Sequence, residues 1–322
     1  MRRRTFLLAA GATLAAPAIR AQAAWPAGQP IRVIVPFPPG AANDAMGRLA
    51  AQQLQDRLGA TVVVENRPGG SALIGTSAVH NAAPDGYTLL ASAFNHIILN
   101  HVVRNVAFDP QRDFEVIGRT ARAPLLMVMA PQQPQSTIAE MVAAAKAKPD
   151  AWTAAIPALG APGHLATIDF MNRTGMNLAT TPYRGTAPAL ADVMGGHVQL
   201  LIDASFALIP VAKEKRVKTL GITTKERSAL APDIPTVAEQ GFAGFDFQSW
   251  YGLWAPKGTP REICERVNTL MRTALREGEI VKRLNASLLE PVVETIDETK
   301  AFIAAEVPKH VALLKAAHFE AQ

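Results

Sequence analysis

The chain has 322 residues, with 32 Lys and Arg against 27 Asp and Glu, and one cysteine. Arg2, Arg3, Arg4 and Arg20 stand alone in an acid-free N-terminal segment, so the rest carries 28 minus 27, or +1. That balance gives no basic footprint for nucleic acid or an anionic membrane surface, and a lone Cys264 excludes an intrachain disulfide, leaving stability to the core.

Arg2 to Arg4, the apolar run Phe6 to Ile19 and Ala21-Gln22-Ala23 follow one another as the n-region, h-region and cleavage site of an export signal, with a mature chain from Ala24. Arg3-Arg4-Thr5-Phe6-Leu7 also fits a twin-arginine signal. The run is shorter than the roughly 20 residues needed to span a bilayer. An N-terminal amphipathic helix is the competing reading.

From Ile31 the pattern alternates strands and helices. Ile31 to Val35 is a buried-strand run, followed by a Pro/Gly loop and a helix that Asn43 or Asp44 can cap, with the stripe Met46, Leu49, Ala50, Leu54 and Leu58 and a stop at Gly59. Thr61 to Val64 and Tyr87 to Ala91 are the next strands, with a helix of small residues near 71–82 between them. The second half repeats this order. Thr153 to Ile156 leads through Pro157 to Gly163 into a helix from His164 to Thr174, Thr180 to Gly185 echoes Val64 to Gly69, and Gly196 to Ser205 echoes Gly86 to Ser92. A βαβαβ unit used twice implies two parallel sheets, whose ligands sit beyond the carboxyl ends of the strands. The tail is helical: Thr259 N-caps a helix with Pro260 in its first position, and Thr295 with Glu298 opens another.

The candidate binding groups lie where strands run into helices. The loop Pro36 to Asp44 presents unpaired amides at a positive helix end, a place for a carboxylate that needs no arginine. Gly40 allows close approach, Phe37 offers an apolar wall, and Asn43 and Asp44 hold the loop or cap the helix. The loop Pro157 to His164 has the same physics, and His164 there is a hydrogen-bonder or a ligand contact. Arg67 and Arg184 precede glycine turns and could pair with a carboxylate or fix the turn. Asp203, past the apolar strand Val198 to Ile202, can accept a hydrogen bond from an ammonium or hydroxyl. No nucleophile elbow, Cys-x-x-Cys, His-Glu-x-x-His, P-loop or Gly-x-Gly-x-x-Gly occurs, and His96 and His101, five apart, do not share a helix face as a metal pair would. The expectation is a binding protein with no catalysis, metal or cofactor.

The stretches IRVIVPFPPGAANDAMGRLA (31–50), VVVENRPGGSALIGTSAV (62–79), AAPDGYTLL (82–90), GAPGHLA (160–166), PYRGTAPALADVMGGHVQLLID (182–203), RSALAPDIPTVAEQGF (227–242) and SWYGLWAPKGTP (249–260) together resemble the Bug-type extracytoplasmic receptors of tripartite tricarboxylate transporters. The resemblance implies an α/β fold like the type II periplasmic binding proteins: two lobes joined by two crossover strands, near Ala123–Leu126 and Phe245–Tyr251, with the ligand cleft between them. It divides the chain into a leader (1–23), lobe 1 (24–124 with 246–322) and lobe 2 (125–245). The ligand positions it implies fall on the loop Pro36 to Gly40, on Ser92, on Gly160 to His164 and on Asp203, gripping a carboxylate through backbone groups and water; joined to the reading of the residues, the candidate set is Phe37, Pro38, Gly40, Ala41, Asn43, Asp44, Ser92, Gly160, Gly163, His164 and Asp203. Ala41 departs from the family, which usually carries a glycine there. The implied ligand is a dicarboxylate, acidic amino acid or aromatic acid, bound by a periplasmic monomer. The implied partner is a set of membrane transporter subunits, or a sensor in an orphan receptor; an enzyme on the same two-lobed fold is the remaining rival.

Overall fold

The computed structural model describes residues 25–322; the expected export signal lies outside them. Among the described residues ten strands form: β1 (Ile31–Val35), β2 (Val62–Asn66), β3 (Thr88–Ala93), β4 (Phe114–Met129), β5 (Thr153–Ile156), β6 (Ala179–Pro182), β7 (Leu200–Ala204), β8 (Lys218–Ile222), β9 (Gln248–Pro256) and β10 (Glu290–Pro291). β1 lies between β2 and β3, parallel to both, and β5 lies between β6 and β7, parallel to both. The two sequence repeats are therefore two copies of one three-stranded parallel unit. Each unit is extended by a long antiparallel strand, β9 against β3 and β4 against β7.

The longest strand joins the lobes. Phe114 to Pro124 of β4 pairs with β9 in the first sheet, and from Leu125 onward β4 pairs with β7 and β8 in the second. The return connection passes beside it. Buried Thr223 accepts a hydrogen bond from the Leu125 amide (3.1 Å) and donates its hydroxyl to the Phe247 carbonyl (2.6 Å), so one side chain ties the two links together.

Each sheet is covered on both faces, as parallel sheets require. Alternation along the strands sends Ile31, Val33 and Val35 to one core and Ile34 to another. In the second lobe Leu200 and Ile202 face one core and Leu201 the other. Such all-apolar strands read in the sequence as unbroken runs for this reason.

Three local expectations change. Asn43 and Asp44 do not N-cap the first helix, which spans Ala42–Leu58 with Ala41 at its N-cap and no side-chain cap bond. Thr259 does not cap its helix either: the N-cap is Pro260, and the Thr259 hydroxyl donates back to the Pro256 carbonyl (2.8 Å). The helix expected from His164 starts earlier, at Pro162. By contrast Thr295 and Glu298 form a reciprocal capping box at the last helix, Ile296–Ala316.

Candidate functional site

A cavity of about 240 Å³ opens between the lobes at the carboxyl ends of the parallel strands. The loop Phe37–Asn43 lines it from the first lobe, with Ala93 at the end of β3, Asn95 just beyond it, and Ser249 and Tyr251 on β9. The second lobe contributes Pro157, Ala158, Ala161, Pro162, Gly185 to Pro188, Leu190, Asp203, Ala204 and Ala207. The lobes touch beside it: a Cβ added at Gly185 would lie 3.3 Å from Pro38 Cγ, and one at Gly160 would lie 2.8 Å from Val102 Cγ2.

Four helices start at this cavity: Ala42–Leu58, Pro162–Thr174, Thr186–Gly195 and Ser205–Lys213. Their N-cap residues, Ala41, Ala161, Gly185 and Ala204, all line it, and none makes a side-chain cap bond. Helices usually begin with Ser, Thr, Asp or Asn, whose oxygen takes up a first-turn amide. Three alanines and a glycine leave those amides free and the positive dipole ends unscreened. Among the described residues no Lys, Arg or His lines the cavity. What attraction it has for an anion comes from backbone amides and neutral side-chain donors.

Among the described residues Asp203 is the one carboxylate in the wall, and it is buried. Its Oδ2 accepts from the Thr186 hydroxyl (2.7 Å) and its Oδ1 from the Ala204 amide (2.8 Å). Burial pushes its pKa up, and these two donors oppose the shift without cancelling it. Tyr251 is driven well above the ordinary phenol range, chiefly by burial, and stands as a neutral hydroxyl beside Ser249. Asn95 is 1% exposed, and its side-chain Nδ2 has no partner among the described residues. Asn43 Oδ1 is likewise buried and unpartnered.

Of the residues singled out in the sequence, Phe37, Pro38, Gly40, Ala41, Asn43 and Asp203 line the cavity; Asp44, Ser92, Gly160, Gly163 and His164 do not. Several of the latter hold the loops in place. Asp44 accepts from the Gly40 amide (3.1 Å), Arg48 Nε (2.9 Å) and Asn66 Nδ2 (2.9 Å), and Asn66 Nδ2 also donates to the Phe37 carbonyl (3.1 Å). His164 Nδ1 accepts the Gly160 amide (3.0 Å), and burial lowers its pKa to about 4, so the ring is a neutral brace. Gly163 lets its helix touch β7: a Cβ there would fall 2.0 Å from the Ile202 carbonyl oxygen. Ser92 is buried with its hydroxyl unpartnered. Arg67 pairs with Glu65 (2.8 Å) and Arg184 is exposed, so neither faces the cavity.

Sequence reasoning did not single out Asn95, Ser249, Tyr251, Thr186 or the start of the helix at Ser205. One usable signal was present for the last two: Gly185 and Ala204 stand, like Ala41 and Ala161, where a polar cap is usual.

Two α/β lobes joined by strands, with a cleft between them where helices begin, define a two-lobed solute-binding protein. The comparisons agree. A family model described as "Tripartite tricarboxylate transporter family receptor" matches residues 46–319, and the chain belongs to that family. Protein BugT of Bordetella pertussis is 34% identical over 289 residues, 89% of each chain. The solved structure of Rpa4515 of R. palustris with adipate has a TM-score of 0.89 at 31% identity, covering 92% of this chain and 100% of that one. MatC of Rhodopseudomonas palustris with bound malate has a TM-score of 0.81 at 26% identity, covering 88% and 98%. Among the described residues no helix is long and apolar enough to cross a membrane, and no group of three His, Cys, Asp or Glu is placed to hold a metal ion.

Proposed function

We propose that this chain is an extracytoplasmic receptor that binds a small organic carboxylate in the interlobe cavity and leaves it chemically unchanged. The observation that carries the reading is the meeting of four uncapped helix starts on one cavity with, among the described residues, no basic side chain in its wall. Backbone amides at positive helix ends take a carboxylate group directly. Phe37, Pro38, Gly40, Ala41, Asn43 and Asp203 contact the ligand, while Asp44, Gly160, Gly163 and His164 set the two loops. The adipate and malate of the two related structures point to the same chemistry. A cavity of about 240 Å³ is below the range of drug-sized sites and suits a small acid.

In this reading the leader directs a monomer to the periplasm. The lobes close about the paired links at Thr223, and the closed form delivers its ligand to membrane transporter subunits or, in an orphan receptor, to a sensor. The contacts Gly185–Pro38 and Gly160–Val102 are ones that closure makes.

Native mass spectrometry of the purified mature chain, followed by calorimetry against a panel of dicarboxylates, acidic amino acids and aromatic acids, tests the proposal. One ligand bound per chain and recovered intact is the expected result. Turnover of the ligand, or no binding across the panel, overturns it.

A further inference from the structure

The last helix, Ile296–Ala316, stops in a way that sends one side chain across to the other lobe. His318 takes left-handed geometry (φ 51°). Its amide donates to the Lys315 carbonyl (3.0 Å) and the Phe319 amide to the Leu314 carbonyl (2.9 Å), the pairing of a Schellman stop. Leu314 is buried in the apolar cluster around Ile34 and Leu90 of the first lobe, and Phe319 packs against that cluster. Beyond the stop, backbone bonds tie the tail to the same lobe. The Arg104 amide donates to the Gln322 carbonyl (2.9 Å), and the Gln322 amide to the Val102 carbonyl (3.2 Å).

The Phe319 ring meets His164 of the second lobe, with centroids 5.2 Å apart and planes at 71°. His164 Nδ1 accepts the Gly160 amide (3.0 Å), which places the neutral ring's proton on Nε2. Gly160 immediately precedes Ala161, the N-cap that lines the cavity. Gly160 also lies against Val102, where a Cβ would fall 2.8 Å from Cγ2. The first lobe therefore holds this turn of the second from two sides, through Val102 and through the Phe319–His164 pair.

The bond to Gly160 exists only while Nδ1 is unprotonated. Burial lowers the His164 pKa to about 4 and keeps it so. Among the described residues no Asp, Glu, Lys or Arg lines the space of about 290 Å³ beside the two rings. On the elements packed around His164, Asp169 pairs with Arg173 (2.6 Å) and Glu320 with Arg104 (3.8 Å), while His101, Lys315 and His318 are exposed.

We propose that Phe319 is a positioning residue for the second-lobe binding loop 157–161, acting across the lobes through His164 on Gly160 without touching the ligand. Its consequence for affinity rests on the receptor reading; the positioning itself does not.

The test is amide exchange over residues 157–165, read by mass spectrometry on the ligand-free mature chain at pH 7 and pH 5.5 and expressed as protection factors. In Phe319→Ala, protection of this loop should fall at least tenfold at pH 7. With water at the ring the His164 pKa returns toward about 6.5, so roughly a further tenfold is lost at pH 5.5. The unaltered chain should keep its protection at both values, and so should Phe319→Tyr, whose hydroxyl has the adjoining space to enter. Malate and adipate are titrated in parallel, and whichever binds the unaltered chain should bind Phe319→Ala about tenfold more weakly. Equal protection in the two chains overturns the inference. So does a loss without pH dependence, which marks a merely structural contact, or a loss that leaves the affinity of a bound acid unchanged. Should Phe319→Ala fail to fold, Phe319→Leu retains part of the cover and should show both losses in smaller measure; their absence overturns the inference equally. Exchange is read without ligand, so its failure leaves the receptor reading standing, whereas an empty carboxylate panel sinks that reading and leaves exchange to decide this one.

Discussion

Restoring a polar cap at a helix that lacks one separates the roles of its amides. Ala41 has extended backbone geometry (φ −82°, ψ 167°), which an N-cap serine adopts without strain. In Ala41→Ser the hydroxyl can accept a first-turn amide of the Ala42–Leu58 helix, the group assigned here to the ligand. A serine cap contributes about 1 kcal/mol, and for a chain of this size that raises the melting temperature by roughly 2 °C. A ligand must displace the hydroxyl to reach the amide, so the same 1 kcal/mol weakens binding about fivefold, at 1.4 kcal/mol per factor of ten. Ala161→Ser repeats the experiment at the Pro162–Thr174 helix, whose N-cap is also extended (φ −65°, ψ 154°). With independent caps the double variant loses roughly 30-fold in Kd while melting about 4 °C higher. Thermal unfolding of the free protein and calorimetry with the best acid of the panel measure the two numbers. More stable protein with unaltered affinity would refute the reasoning, because the ligand would then not use those amides.

Asp44→Ala removes the acceptor for Gly40, Arg48 and Asn66. Gly40 and Arg48 are exposed, so water replaces much of what they lose; the expected cost is about 2 kcal/mol in stability and at least tenfold in Kd, from a loop no longer tied down. Burial pushes Asp44 up, but donors from Arg48, the Gly40 amide and Asn66 outweigh it and hold the group below its usual value. Its contribution is thus complete above the unfolded pKa of about 3.9 and lost only as pH falls through the lower folded value, so the deficit measured by chemical denaturation should be constant from pH 5 to 8. Gly163→Ala drives a Cβ to within 2.0 Å of the Ile202 carbonyl oxygen, next to Asp203. Backbone must move by about 1 Å, so stability should fall by about 3 kcal/mol in urea titrations, with binding lost as well. His96 is fully buried against Phe114 and Trp254 with both ring nitrogens unpartnered, and burial lowers its pKa to about 3. The unfolded chain takes a proton near pH 6.5 and the folded chain does not, so stability drops by about 2 kcal/mol between pH 7 and 5 from this residue alone. His96→Leu should flatten that slope; an unchanged pH profile would contradict the assignment.

Much of the architecture was legible locally. The strand Thr153–Ile156, the stop at Gly59 in left-handed geometry and the Thr295–Glu298 capping box each depend on a few adjacent residues, and each is where the sequence put it. The repeated βαβαβ order was legible too, because an apolar run followed by a small-residue loop and an amphipathic stretch is a short-range pattern. Caps were less so. Asp44 and Thr259 carry side chains suited to capping, yet Asp44 turns back to the Gly40 amide and Thr259 to the Pro256 carbonyl. A side chain that can bond several nearby backbone groups does not announce which one it takes.

The sequence by itself determined the periodicities, the paired lobes and the chemistry available at each strand–helix junction, since these follow from backbone hydrogen bonding and burial over a few residues. Only the tertiary structure decided which junctions meet. Ala41, Ala161, Gly185 and Ala204 share one cavity with Asn95 and Tyr251 because of the strand order β2-β1-β3-β9-β4-β7-β5-β6 and the passage of β4 from one sheet to the other. That order is set by pairing between strands far apart in the chain, and no local pattern of residues records it.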